Sequence, residues 1–129
     1  MIDVLFPHAA TTGEVTVRTA PRYLADQSDP ARGYHVWAYQ VRIENAGDAP
    51  VQLLARHWEI TDAGGRVEVV AGDGVVGVQP VIGAGQAYDY VSGCPLKTAS
   101  GTMRGHYAMI RGGVRFDAAI PAFALVQAP

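Results

Sequence analysis

The sequence predicts an all-β protein, an antiparallel β-sandwich of the immunoglobulin or fibronectin type III kind. Three observations predict it. Apolar and polar residues alternate with a period of two along much of the chain, glycine-rich turns part these runs at short intervals, and no segment of ten or more residues reads as an amphipathic helix.

In chain order, "EVTVRT" pairs Val15 with Val17 on one face. "ADQSDPARG" then reads as a polar loop between the first two strands. In "WAYQVRIEN", Trp37, Tyr39, Val41 and Ile43 alternate with Ala38, Gln40, Arg42 and Glu44, the pattern of a half-buried strand. "NAGDAP" is a turn, after which "QLLARHWEI" places Leu54, Trp58 and Ile60 on one face with Arg56 among them. "DAGG" separates that strand from "RVEVV", and "GAG" precedes "AYDYV", where Tyr88 and Tyr90 share a face. Gly112-Gly113 suits a tight primed hairpin turn, which needs positive φ at both positions. The last strand, "VRFDAAI", turns Val114, Phe116, Ala118 and Ile120 inward and Arg115 and Asp117 outward.

The 129 residues fit one domain, 1–129, without repeat or linker. The composition, 49% apolar and 17% charged, is that of a globular protein, and a formal net charge of −2 argues against general nucleic-acid binding. Cys94 is the only cysteine, so neither an internal disulfide nor a multi-cysteine zinc site is expected. "MIDVLFPHAA" lacks the basic start of a secretory signal. The longest uncharged stretch, Gly74 to Tyr88, is broken by Pro80 and glycines and is too short to cross a bilayer. The expectation is a cytoplasmic protein with no membrane contact.

"GDGVVG" places Gly72, Gly74 and Gly77 in the GxGxxG spacing that seats a pyrophosphate in dinucleotide-binding enzymes. There, a helix begins at the last glycine and presents its N–H groups and dipole to the anion. Here "VQPVIG" follows, and Pro80, Gly83 and the β-branched residues oppose a helix. The glycines then mark a bend or bulge, although a nest of backbone N–H groups can hold an anion without a helix. Arg56 and Arg104 are the candidate partners for such a phosphate, because arginine binds it bidentately and the two converge if their strands are neighbours. Arg56, on an apolar face, needs a partner of some kind. His57 and His106 form a candidate polar cluster beside them; Arg104 and His106 share a face by parity, Arg56 and His57 do not. The four histidines, His8, His35, His57 and His106, show no metal-ligand spacing. Cys94 in "SGCPL" reads as a small core residue, and no catalytic motif is recognised, so no catalytic residue, metal or cofactor is assigned.

The run from Tyr39 to Pro121 resembles the ApaG family, through "RHW" with "TDAGGRV", "GDGVVGVQPV", "SGCPL", "SGTMRGHY" and the closing "FDAAIPAFAL". The resemblance implies the same sandwich fold, no established catalytic activity, and a link of bacterial members to cobalt resistance and magnesium efflux. It also implies a pyrophosphate site at the glycine pattern. Related domains within eukaryotic F-box proteins and a polymerase-delta-interacting protein point to a binding role. Three functions follow as expectations: a non-catalytic binding module for an unknown protein partner, indirectly tied to cation homeostasis; a binder or hydrolase of a nucleotide or pyrophosphate at Gly72–Gly77; and, last, direct cation handling, for which Asp62, Asp73 and Asp89 are too scattered.

Overall fold

The computed structural model describes residues 5–127. The expectations of a domain spanning 1–129 and of no secretory start reach beyond them, to residues 1–4 and 128–129, which lie outside the described residues. The strands are β1 (His8–Thr12), β2 (Val15–Tyr23), β3 (His35–Asn45), β4 (Val51–Asp62), β5 (Val67–Asp73), β6 (Val81–Ile82), β7 (Ala87–Leu96), β8 (Ser100–Arg111) and β9 (Val114–Val126). Every pairing is antiparallel, in two stacked sheets of order β1-β2-β3-β7 and β5-β4-β8-β9, with β6 beside the start of β4. This is the all-β sandwich that the alternation predicts. No helix among the described residues is long and apolar enough to cross a membrane.

The inward residues of the two sheets form one core. Val15, Val17, Trp37, Tyr39, Val41 and Ile43 from one sheet meet Trp58, Met103, Tyr107, Met109, Phe123 and Leu125 from the other. Tyr39 packs edge-on to Trp58 with ring centroids 5.2 Å apart. The "ADQSDPARG" loop lies between β2 and β3 and carries two short 3-10 turns. It is not between the first two strands, because β1, "HAATT", has no large apolar side chains for its alternation to show. Gly112 and Gly113 both adopt positive φ, 55° and 78°, as the hairpin requires.

Two faces depart from simple parity. Leu53, not Leu54, is buried, because the pairing of β4 with β8 shifts between Leu53 and Ala55 and Leu54 is the extra residue of a bulge. A second irregularity sets Met103 opposite Phe123 and Gly105 opposite Ile120, so β9 changes its buried parity after Ile120, at Pro121. Val114 is exposed instead of inward, since it sits at the hairpin tip beyond the reach of the other sheet.

A buried asparagine ties the segments at one end of the sandwich. Asn45 Nδ2 donates to the carbonyls of Ala49, Ile82 and Gly83, and its Oδ1 accepts from the Gly47 N–H and from Arg111 Nη2. Arg111 Nη1 also donates to the Ala49 carbonyl.

The two flanks of the sandwich differ. On one, β1 and β2 pack along β9, with Ala119 N–H donating to Thr12 Oγ1 and His8 stacked on Phe123. On the other, β5 and β7 end their sheets with no comparable packing between them among the described residues.

Candidate functional site

β5 runs straight into the glycine segment. Gly74 N–H donates to the Leu54 carbonyl, and Val75 and Val78 exchange both backbone hydrogen bonds around a two-residue tip. The tip residues Val76 and Gly77 have φ of 47° and 81°, and Val75 is driven wholly into the core. The chain then proceeds to β6 without a helix. The segment is a hairpin-like turn, as Pro80 foretells.

The three glycines have separate structural reasons. A Cβ on Gly72 would stand 3.2 Å from Arg56 Nη1. A Cβ on Gly74 would fall on the Val78 carbonyl, at a φ of 65° that itself favours glycine. Gly77 faces open space and is needed only for its backbone angle. The N–H groups of Gly74, Val75 and Val78 already donate to protein carbonyls, which takes them from any anion cradle. The glycine spacing therefore does not build a helix-type phosphate seat.

Arg56 points between the sheets, with Trp58. Its Nη1 donates to the carbonyls of Asp73 and Gly74, both at 3.0 Å, so it caps the end of β5. It also lines a cavity of about 240 Å³ with Tyr39, Tyr90, Ser92, Val75 and Gly77. Arg104 lies on the opposite face of the same sheet, exposed, 3.5 Å from Glu59. The strands of Arg56 and Arg104 are neighbours, but the two arginines do not converge, because residues 56 and 104 project to opposite sides of the sheet. His57 and His106 do come together. They are register partners on that outer face, with rings stacked at 4.9 Å and 16°, and His106 Nε2 lies 3.9 Å from Asp117. Among the described residues, no three or more of His, Cys, Asp and Glu stand together in a group suited to a metal ion.

Four ionisable side chains buried in the core are held neutral. Burial raises the hydroxyl pKa of Tyr39, Tyr90 and Tyr107, the last two hydrogen-bonded to each other. Burial, and then the charge of Glu68, pushes the Cys94 thiol up to about 11 from an ordinary 9.0. A thiol so placed is a poor nucleophile at neutral pH. These groups are acids with raised native values. Their contribution to stability is complete below the ordinary values of 9.0 and 10.0 and declines as the pH rises past them, because the unfolded chain then ionises first. Urea midpoints should be flat from pH 7 to 8.5 and fall above about pH 10, and Cys94 should react with a thiol reagent only as the chain unfolds. Rapid labelling of the native protein at neutral pH would contradict this placement.

One feature was not legible as a motif. On the open flank, a groove of about 600 Å³ runs beside β5, with Ile60 and Leu96 buried at its base, Tyr34 and Pro95 beside them, and the exposed Arg66 and Lys97 at its edges. Its residues come from four separated stretches of the chain. Its trace in the sequence is Val67 of "VEVV", an apolar residue that lines the groove and is 56% exposed.

Comparison with known proteins places this architecture. The ApaG domain profile matches residues 25–111. "Protein ApaG" of Mesorhizobium japonicum is 53% identical over 119 residues, covering 92% of either chain. "Protein ApaG" of Paramagnetospirillum magneticum is 56% identical over the same length and coverage. The crystal structure of an ApaA protein from Bordetella pertussis superposes with a TM-score of 0.85 at 47% identity, covering 88% of this chain and 93% of that one.

Proposed function

Because this chain belongs to the ApaG domain family, we propose that it acts as a single-domain, non-catalytic binding module whose partner is another protein. The observation that carries this reading is the open flank, where an apolar-based groove lies directly beside the β5 edge, which pairs with no further strand among the described residues. An extended segment of a partner can add to such an edge through main-chain hydrogen bonds while its side chains fill the adjacent groove. The module works in the cytoplasm without nucleic acid or membrane, and any effect on cobalt or magnesium levels is exerted through the partner.

A photo-crosslinking residue at Val67 tests this reading against the same residue at Val114, which is at least as exposed but at the far hairpin. A discrete protein adduct from position 67, absent from position 114 and lost on Tyr34→Ala, is the expected result. Indistinguishable adducts from both positions would sink the proposal.

A second reading has one observation in its favour: Arg56 and Gly77 line the smaller cavity together with Tyr39 and Ser92. In it, a phosphate-bearing small molecule sits against Arg56, without Arg104. Calorimetric titration with pyrophosphate, ATP and diadenosine tetraphosphate, with and without magnesium, decides it; no heat at millimolar ligand ends it for those ligands.

A further inference from the structure

We propose that two copies of this chain associate edge to edge, β5 against β5 in antiparallel register about a two-fold axis at Val70, with Glu68 of each copy reaching Arg56 of the other. The proposal rests on reading β5 as a docking edge and names its occupant as a second copy.

β5 is a terminal strand of seven residues, "VEVVAGD", with neither proline nor lysine to blunt it. The facing edge, β7, carries Pro95, whose missing N–H makes it a poorer template. An edge strand can pair with its own copy only in a register that keeps each residue on its face of the sheet. Centring on Val70 does this and pairs the whole strand. Val67 then lies opposite Asp73, Val69 opposite Ala71, and Glu68 opposite Gly72. The exposed Val67 and Val69 extend an apolar strip across the junction on the outer face.

The inner face supplies the specific match. On β4, Arg56 is the register partner of Gly72. Its guanidinium lies where a Gly72 side chain would be, and among the described residues it has carbonyl partners but no carboxylate. In the proposed register one row across three strands reads Arg56, Gly72, then Glu68 of the second copy. Strands are spaced about 4.8 Å apart, so the Cα atoms of Arg56 and that glutamate are roughly 10 Å apart, within reach of two long side chains extended toward each other over a glycine. The symmetry makes the pair twice. An inward charge such as Glu68 ordinarily guards an edge against pairing; in this register it is met by an opposite charge. A junction of one strand pair is small for a stable dimer, so association should be weak and concentration-dependent.

Sedimentation equilibrium of the full chain tests this. The expected result is a monomer–dimer equilibrium that Glu68→Lys abolishes while the circular dichroism and thermal midpoint stay those of the wild type. Under mild oxidation, Val70→Cys should give a disulfide-linked dimer, since residue 70 alone meets its own copy, and Val69→Cys should give little. A monomer at every accessible concentration overturns the proposal, and so does a dimer indifferent to Glu68→Lys or cross-linking better at 69 than at 70. If the chain is monomeric yet position 67 crosslinks a different protein, self-pairing is refuted and the binding-module reading stands.

Discussion

Gly105→Ala should be among the most damaging single substitutions in the chain, at a cost of about 3 kcal/mol or more. Gly105 lies opposite Trp58 in the pairing of β4 with β8, and a Cβ there would overlap the carbonyl oxygen of His57. That oxygen belongs to the backbone of the adjacent strand and cannot turn aside as a flexible side chain would. The two strands must separate locally, and the irregular pairing with β9 between Met103 and Gly105 leaves little freedom to absorb the shift. Trp58 and Met103, both at the centre of the core, would be displaced with them. Gly77→Ala is the control. Its added methyl meets nothing, so it should cost only the left-handed backbone penalty of about 1–2 kcal/mol. Urea unfolding of both variants gives the comparison. Equal losses would show that the close approach at Gly105 relaxes easily, contrary to this account.

Asn45→Ala is the second. It removes the amide that serves three carbonyls and the oxygen that accepts from Gly47 N–H and Arg111. Each buried group left without a partner costs about 1–3 kcal/mol. The Ala49 carbonyl keeps Arg111 Nη1, and part of the rest can relax, so a total of roughly 3–4 kcal/mol is expected. Against a typical total of about 5–15 kcal/mol, this is a large fraction. The midpoint of urea unfolding should fall with the slope unchanged. A loss below about 1 kcal/mol would mean that these bonds are readily replaced by water.

Neither residue stood out in the sequence, and the reasons are physical. The "GDGVVG" glycines attract notice because their spacing is a known pattern, whereas Gly105 matters only because of what β4 brings against it. Asn45 sits in "NAGDAP", which reads as a turn, yet two of its carbonyl partners lie some 37 residues on in the chain. Alternation made the strands and most of the core legible, since Trp37 through Ile43 need no knowledge of the partner strand to reveal their buried side. It failed at Leu54 because a bulge is a property of two strands together. Pro80 was enough to rule out a helix after the glycines. The opposite faces of Arg56 and Arg104 follow only once residues 56 and 107 are known to be paired, and the meeting of His57 with His106 needs the same register.

The shut flank has a bearing on how the molecule is presented to others. The first and last strands lie against each other there, on the side away from β5 and β7. A reporter group placed on an outward side chain of β1 therefore sits on that flank, away from the edge that β5 presents. Attachment through such a position leaves the β5 edge facing solution.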